Sequence, residues 1–395
     1  MGSSRLHRLT LSSASVASGL LGPAMAVVLS LIVARREGLS MWGSVARVQI
    51  ASQVLALICT HGVRDLLLTS MAIDPAGADY LWWRAARRHL TFGVVGATAA
   101  MLVFGFSMTG VIAGLWVLGL VARELIEALV VRRGAFMRAL AGDVLSAVVV
   151  IALVRATGDS RVAIGSAIVL GLVLRTALIA PGNLPPVRSR SAVSRSAEPS
   201  AIRPKGSQVR RNAFATLALA GYVQSRGDTL VATAVLSDRT LGLYVVAMNA
   251  VQVMRGVIAY AMRPHAPALH RLRHRSVSTL ARRQFVLWSP IVVAVGLLIP
   301  WALGTWWKGD VEWWWSFLVI ATLATTPWRY PWTNWLLGRG DEAMLARVTT
   351  AVSVAVLILA WPALAFAGLA GGLVVAVGAE LSLALWTRRR VAALA

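Results

Sequence analysis

The sequence predicts an all-α polytopic membrane protein, with about twelve transmembrane helices in two six-helix lobes related by a parallel pseudo-repeat, and three observations carry that prediction. The 395 residues are 57% hydrophobic and only 14% charged, against about 25% charged in soluble chains, and the mean hydropathy is +0.70. Apolar segments of the ~20 residues needed to cross a bilayer recur along the whole chain. Basic residues collect in alternate connections between them, as expected when cytoplasmic loops hold the Lys and Arg excess.

By length and apolar content the crossing segments fall at 11–34, 41–60, 90–108, 110–131, 138–156, 162–180, 212–236, 241–262, 284–305, 313–337, 344–366 and 368–387. The first is full-length and no small-residue cleavage site follows a short core, so it reads as a retained helix rather than a signal peptide. The second is the most polar at its start, where Arg47 and Gln49 stand. With the N-terminus (Arg5, Arg8) in the cytoplasm, and with Arg138, Arg155 and Arg347 near segment ends counted with the adjoining connections, 27 Lys and Arg fall inside and 6 outside, with 6 more within the segments. One missed segment would swap every later loop, so this asymmetry argues for an even number of crossings with both termini inside.

The longest polar interval, 181–211, is rich in Pro, Ser and Arg and shows no apolar period, so it reads as a solvated basic linker. It divides the chain into an N-terminal lobe at 1–180 and a C-terminal lobe at 212–395. A juxtamembrane basic run of this kind also suits anionic lipid headgroups. Trp306, Trp307, Trp313, Trp314 and Trp315 flank the outside turn Lys308-Gly309-Asp310, which reads as an interfacial anchor with carbohydrate stacking as the alternative. The halves also align. Residues 129–151 can be set on 336–358, and 42–54 on 241–253, in order and in the same orientation, the pattern of a repeat about an axis along the membrane normal.

The charge of +23 would suit nucleic acid in a soluble protein, but here it lies in loops, and no polar stretch is long enough for a soluble domain. Cys59 is the sole cysteine, which excludes an internal disulfide and leaves no metal-ligand cluster.

Function is sought where charge enters the apolar segments, since each such group costs ~2.5–3.5 kcal/mol on insertion scales. The basic residues there are Arg47, Arg123, Arg175, Arg226, Arg255 and Arg329, and the acidic ones Glu124, Glu127, Asp143, Asp228 and Glu380. Arg123 and Glu127 are four apart and share a helix face, with Glu124 beside them. Arg329 stands between Pro327 and Pro331, where two missing amide donors should kink the helix. Arg226 and Asp228 are two apart and should point to different faces. Guanidinium groups offer paired donors to phosphate oxygens. Arg226, Arg123, Arg329, Arg47 and Arg255 are therefore the expected substrate contacts. Asp228, Glu124 and Glu127 would pair with them in the empty site or carry a coupling proton. Arg255 also belongs with Arg175, Asp143 and Glu380 as a group within reach of a membrane surface, where snorkelling or structural pairing explains a charge.

The stretch from Arg210 to Leu272 carries a family resemblance. It has a polar-start segment with Arg226-Gly227-Asp228, a four-residue turn at Ser237–Thr240, Leu241-Gly242-Leu243-Tyr244 opening the next segment, and a Pro-containing basic exit. This resembles the seventh and eighth helices of the polysaccharide flippases in the multidrug/oligosaccharidyl-lipid/polysaccharide (MOP) exporter superfamily. A worn version stands in the first half: Gly22-Pro23, Met41-Trp42-Gly43-Ser44-Val45 and His61-Gly62-Val63-Arg64-Asp65. The resemblance spans the twelve-helix layout, but only these two regions carry motifs. It implies two lobes around a central cationic cavity that opens alternately to each leaflet, and a polyprenyl-pyrophosphate-linked saccharide as cargo. Asp228 matches an aspartate often found in the family's seventh helix, and Arg226 a basic or polar position. The degenerate first motif and the lack of a thirteenth and fourteenth helix depart from the peptidoglycan-precursor flippases, so the saccharide is left open.

Two other classes compete. A major-facilitator transporter would share the six-plus-six layout but needs a Gly/Asp/Arg-rich signature after the second segment, which HGVRDLLLTSMAIDP does not supply. A membrane-embedded polysaccharide-assembly enzyme needs grouped outside acids, whereas Glu37, Asp159, Asp238, Asp310 and Glu312 are scattered singly. The expectation is thus a flippase in the cell membrane, not an enzyme. Its partners are a lipid-linked saccharide, membrane lipids and other polysaccharide-assembly proteins, not nucleic acid. It needs no cofactor beyond a coupling proton or sodium ion.

Overall fold

The computed structural model describes residues 17, 21, 24–64, 67–68, 71, 77–157, 160–185, 207–262, 273–307 and 311–394. Outside them lie Arg5 and Arg8, Gly22-Pro23, Asp65, most of the basic linker, the 263–272 exit and Lys308-Gly309-Asp310. The described regular structure is helical throughout: α1 (24–36), α2 (Leu39–Thr60), α3 (Ala78–Val103), α4 (Met108–Arg133), α5 (Phe136–Thr157), α6 (Arg161–Ile179), α7 (Ser207–Val235), α8 (Asp238–Met262), α9 (His274–Trp307), α10 (Trp315–Gly338) and α11 (Glu342–Ala393). Among the described residues, six helices are long and apolar enough to cross a membrane: α2, α5, α6, α8, α9 and α11. The chain is an integral membrane protein.

Several helices outrun the apolar segments that announce them. The segment at 90–108 becomes α3, which starts at Ala78, because the polar turns before it are amphipathic and bury Ala78, Trp82, Ala86 and His89 at helical spacing. For the same reason α9 begins at His274 rather than near 284, with Val277 and Ala281 in the core. The turn expected at Ser237–Thr240 is shorter than that. Asp238 is already helical, because the Ser237 hydroxyl caps α8, accepting the Thr240 amide at 3.4 Å and meeting the Thr240 hydroxyl at 2.9 Å.

Two compact units form. One comprises Met1–Ser18 and Arg47–Leu219, the other Gly19–Ala46 and Ala220–Ala395, so the division falls inside α2 and α7. In the first, α4 packs on α3, α6 and α5, and α5 on α6. Trp116, Val117, Val121, Leu125 and Leu129 line the inner face of α4. The Trp82 indole donates to the Leu125 carbonyl at 2.9 Å, tying α3 to α4. Val94, Val95, Leu102 and Val148 stay exposed; lipid, being as apolar as the core, tolerates this where water would not.

In the second unit α10 packs on α8, α9 and α11, and α8 also on α9. Trp328, Trp332, Trp335 and Trp386 gather around Val277, Ala281 and Val391. Arg339 sits over the Trp335 ring at 4.9 Å. Of the tryptophans expected in the interfacial anchor, Trp313 is exposed and meets Phe317 edge-on, whereas Trp315 turns into the core.

The 52 residues of α11 form a hairpin. Gly368, with φ 55° and ψ −134°, interrupts the helix. A Cβ on Gly371 would lie 1.9 Å from the Ala363 carbonyl oxygen, although eight residues of straight helix span about 12 Å. The far ends meet as well: Arg390 grips Asp341 through Nε at 2.7 Å and Nη2 at 2.9 Å. The segments read as 344–366 and 368–387 are therefore two antiparallel arms.

At the start of α2 and α8 the backbones nearly touch. A Cβ on Gly43 would meet the Asp238 carbonyl oxygen at 1.8 Å, and one on Gly242 the Leu39 carbonyl oxygen at 2.1 Å. Gly43 and Gly242 are 199 residues apart, and so are Leu39 and Asp238. This is the offset that sets 42–54 on 241–253, so the contact is its own image.

Candidate functional site

In the second unit one carboxylate gathers side chains from three other helices. Glu380, on the second arm of α11, is 1% exposed. Its Oε1 accepts Gln224 Nε2 of α7 at 2.8 Å and lies 3.1 Å from Arg255 Nη2 of α8. Its Oε2 lies 3.4 Å from both Arg329 Nη2 and Thr325 Oγ1. Thr325 and Arg329 share a face because they are four apart on α10, which runs through Pro327 and Pro331. Two cations thus share one anion. Among the described residues Arg255 Nε and Nη2 are buried and donate no hydrogen bond, so Arg255 is held to Glu380 by charge without a well-directed bond.

Arg226 and Asp228 stand alongside on α7. Arg226 Nη1 donates to Asn249 Oδ1 at 3.1 Å, and among the described residues it enters no ion pair. It lies within electrostatic reach of Arg255 and Asp228. Asp228, 2% exposed, accepts the hydroxyls of Tyr244 and Thr229. Arg226 and Asp228 therefore both engage α8, at Asn249 and Tyr244. They flank the α7–α8 seam, and Gln252 Nε2 on the Ser225 carbonyl at 2.9 Å closes it.

The first unit carries a second charge cluster. Glu127 of α4 takes Arg123 Nε at 2.9 Å, Arg175 Nη2 at 3.0 Å and Arg64 Nη1 at 3.4 Å. Arg175 Nε also pairs with Asp143, linking α6 to α5. Glu124, half-buried on α4, is electrostatically coupled to Arg123. Arg47 is half-buried on α2.

Of the expected substrate contacts, Arg226, Arg255 and Arg329 belong to the second unit and Arg47 and Arg123 to the first. Arg175, Arg255, Asp143 and Glu380, expected to snorkel or to pair structurally, are all paired, and Glu380, Asp143 and Arg175 are also buried. The sequence held a usable signal for them in depth. Arg255, Arg329 and Glu380 stand seven, eight and seven residues before the segment ends at 262, 337 and 387. At ~1.5 Å per residue that is one level of the bundle. Glu127, Asp143 and Arg175 likewise lie four or five residues from 131, 138 and 180. Opposite charges at a common depth on neighbouring helices are candidates to pair. Among the described residues no group of His, Cys, Asp and Glu could hold a metal ion.

No family profile and no curated relative matches the chain. Solved structures do. A lipid II flippase, MurJ, in an inward closed conformation superposes with a TM-score of 0.58 at 12% identity, covering 97% of this chain and 87% of that one. A multidrug resistance MATE-family transporter of the MOP superfamily, outward-facing, gives 0.50 at 15% identity, covering 98% and 95%. A MATE structure in a bent conformation gives 0.50 at 14% identity with the same coverage. The chain thus shares the fold of MurJ and of a MATE-family transporter of the MOP superfamily, as the Arg210–Leu272 resemblance implied.

Proposed function

We propose that this protein is a flippase that carries a polyprenyl-pyrophosphate-linked saccharide from the cytoplasmic to the outer leaflet by alternating access. Twelve crossings, lobes at 1–180 and 212–395 and a cytoplasmic linker at 181–211 would place both termini inside. The observation that carries the reading is that Arg255 and Arg329 share Glu380, with Arg226 within electrostatic reach of Arg255, and that Glu380 is the only carboxylate that ion-pairs with the three among the described residues. Buried cations in excess of their anions are costly unless a ligand completes them, and guanidinium favours phosphate oxygens. The fold shared with a lipid II flippase and with multidrug transporters supports transport over chemistry.

The pyrophosphate docks on Arg226, Arg255 and Arg329, while the prenyl tail stays in lipid. Transport follows if the cargo binds the inward- and outward-open forms with different affinity, since only differential binding shifts such an equilibrium. Asp228 carries a coupling proton or sodium ion, and other polysaccharide-assembly proteins supply and remove the cargo. The test is export in a strain expressing Arg226→Ala or Arg329→Ala at the wild-type level. Loss of surface polysaccharide is expected, and unchanged export would refute the assignment.

A further inference from the structure

We propose that Glu380 is the resident counter-anion of this arginine site and sets the threshold an anion must exceed to occupy it, so that a singly charged phospholipid headgroup leaves the site closed and a ligand with two or more negative charges opens it. The inference rests on the flippase reading above and names the feature of the cargo that the site reads.

Any cationic site reached from a membrane meets ordinary anionic lipids long before it meets a scarce carrier lipid. Arg255 and Arg329 together carry two positive charges, and Glu380 returns one negative charge. A tethered carboxylate acts at high effective concentration. A headgroup with one charge therefore replaces like with like and gains nothing from the exchange. A pyrophosphate brings at least one further charge, and that extra attraction in a low-dielectric interior drives the displacement.

Three details make displacement feasible. Arg255 presents Nε and Nη2, the edge that offers parallel donors, with no hydrogen bond among the described residues, so a phosphate can take it bidentately. The Arg329 side chain is 24% exposed against 12% for Arg255 and 2% for Glu380, which makes it the entry point. Gln224 and Thr325 hold Glu380 independently of the arginines. The carboxylate thus keeps two donors after the cations let go, and is not left bare in the interior.

The experiment measures competition on the purified full-length protein in neutral-lipid nanodiscs, with farnesyl pyrophosphate and dioleoyl phosphatidylglycerol as probes. The wild type is expected to prefer the pyrophosphate by about tenfold or more. Glu380→Gln keeps the shape and the contacts to Gln224 and Thr325 but removes the charge. It should bind phosphatidylglycerol and the pyrophosphate each at least about tenfold more tightly, because both must displace the carboxylate in the wild type, so that phosphatidylglycerol alone now fills the site. Glu380→Asp retains the charge, and with it the fold, but draws the carboxylate back by one methylene; it should tighten phosphatidylglycerol binding in the same direction by less. It decides the matter if the glutamine variant does not fold. Phosphatidylglycerol affinity that is unchanged in the variants overturns this inference and leaves the flippase reading standing. A wild type that binds no pyrophosphate overturns both.

Discussion

Arg175 is held between two carboxylates on different helices, Asp143 on α5 and Glu127 on α4, and is itself buried. Removing Asp143 leaves Arg175 to share Glu127 with Arg123 and Arg64, three cations on one carboxylate. Asp143→Leu should therefore cost about 3–5 kcal/mol, read as a fall in the thermal midpoint of the detergent-solubilised protein. The double variant Asp143→Leu with Arg175→Leu should recover much of that, because Glu127 keeps Arg123 and Arg64. Tyr244→Phe makes a sharper local probe. It leaves the buried Asp228 carboxylate with Thr229 alone, and loss of a donor to a buried acceptor costs about 1–3 kcal/mol. Composition and segment position announced the charges at this scale but not their partners. Arg123 and Glu127 were legible because a helix fixes which residues four apart are neighbours. Arg255 with Glu380 was not, because that contact depends on how α8 and α11 pack, and nothing local encodes it.

The hairpin of α11 shows the opposite balance at the scale of an element. The sequence placed a break between 366 and 368 from segment length alone, and the chain reverses at Gly368. A left-handed residue is required there, so Gly368→Ala should destabilise by about 1–2 kcal/mol. Gly371→Ala should cost at least as much, about 1–3 kcal/mol, because its methyl would strike the Ala363 backbone, which cannot rotate away. Gly378, seven residues on, faces open space, and Gly378→Ala should be neutral or gain up to about 1 kcal/mol. Thermal melts of the three variants check both the reversal and its tightness. Helix starts were less legible. Hydropathy marks where a helix needs lipid, whereas α3 and α9 begin where polar turns first bury a stripe of Ala, Val and Trp.

For the molecule as a whole, the distribution of Lys and Arg makes an export-independent prediction. The proposed orientation puts Ala395 and the 186–206 linker on the cytoplasmic face, so fluorescent protein fused at the one or inserted in the other should fold and fluoresce. Alkaline phosphatase at the same sites should be inactive, and the reverse pattern would invert the topology.

The reciprocal contact of α2 and α8 has a consequence of its own. Gly43→Ala and Gly242→Ala each force a methyl into a backbone at 1.8 and 2.1 Å, and each alone should cost about 1–3 kcal/mol. They are not independent events, because both are relieved by the same movement. Once the first methyl has pushed the two helices apart, the second enters a gap already open. A double-mutant cycle should therefore show a coupling of about 0.5–3 kcal/mol, with the pair costing less than its parts. Two positions 199 residues apart in the chain would then behave, in the arithmetic of stability, as a single site.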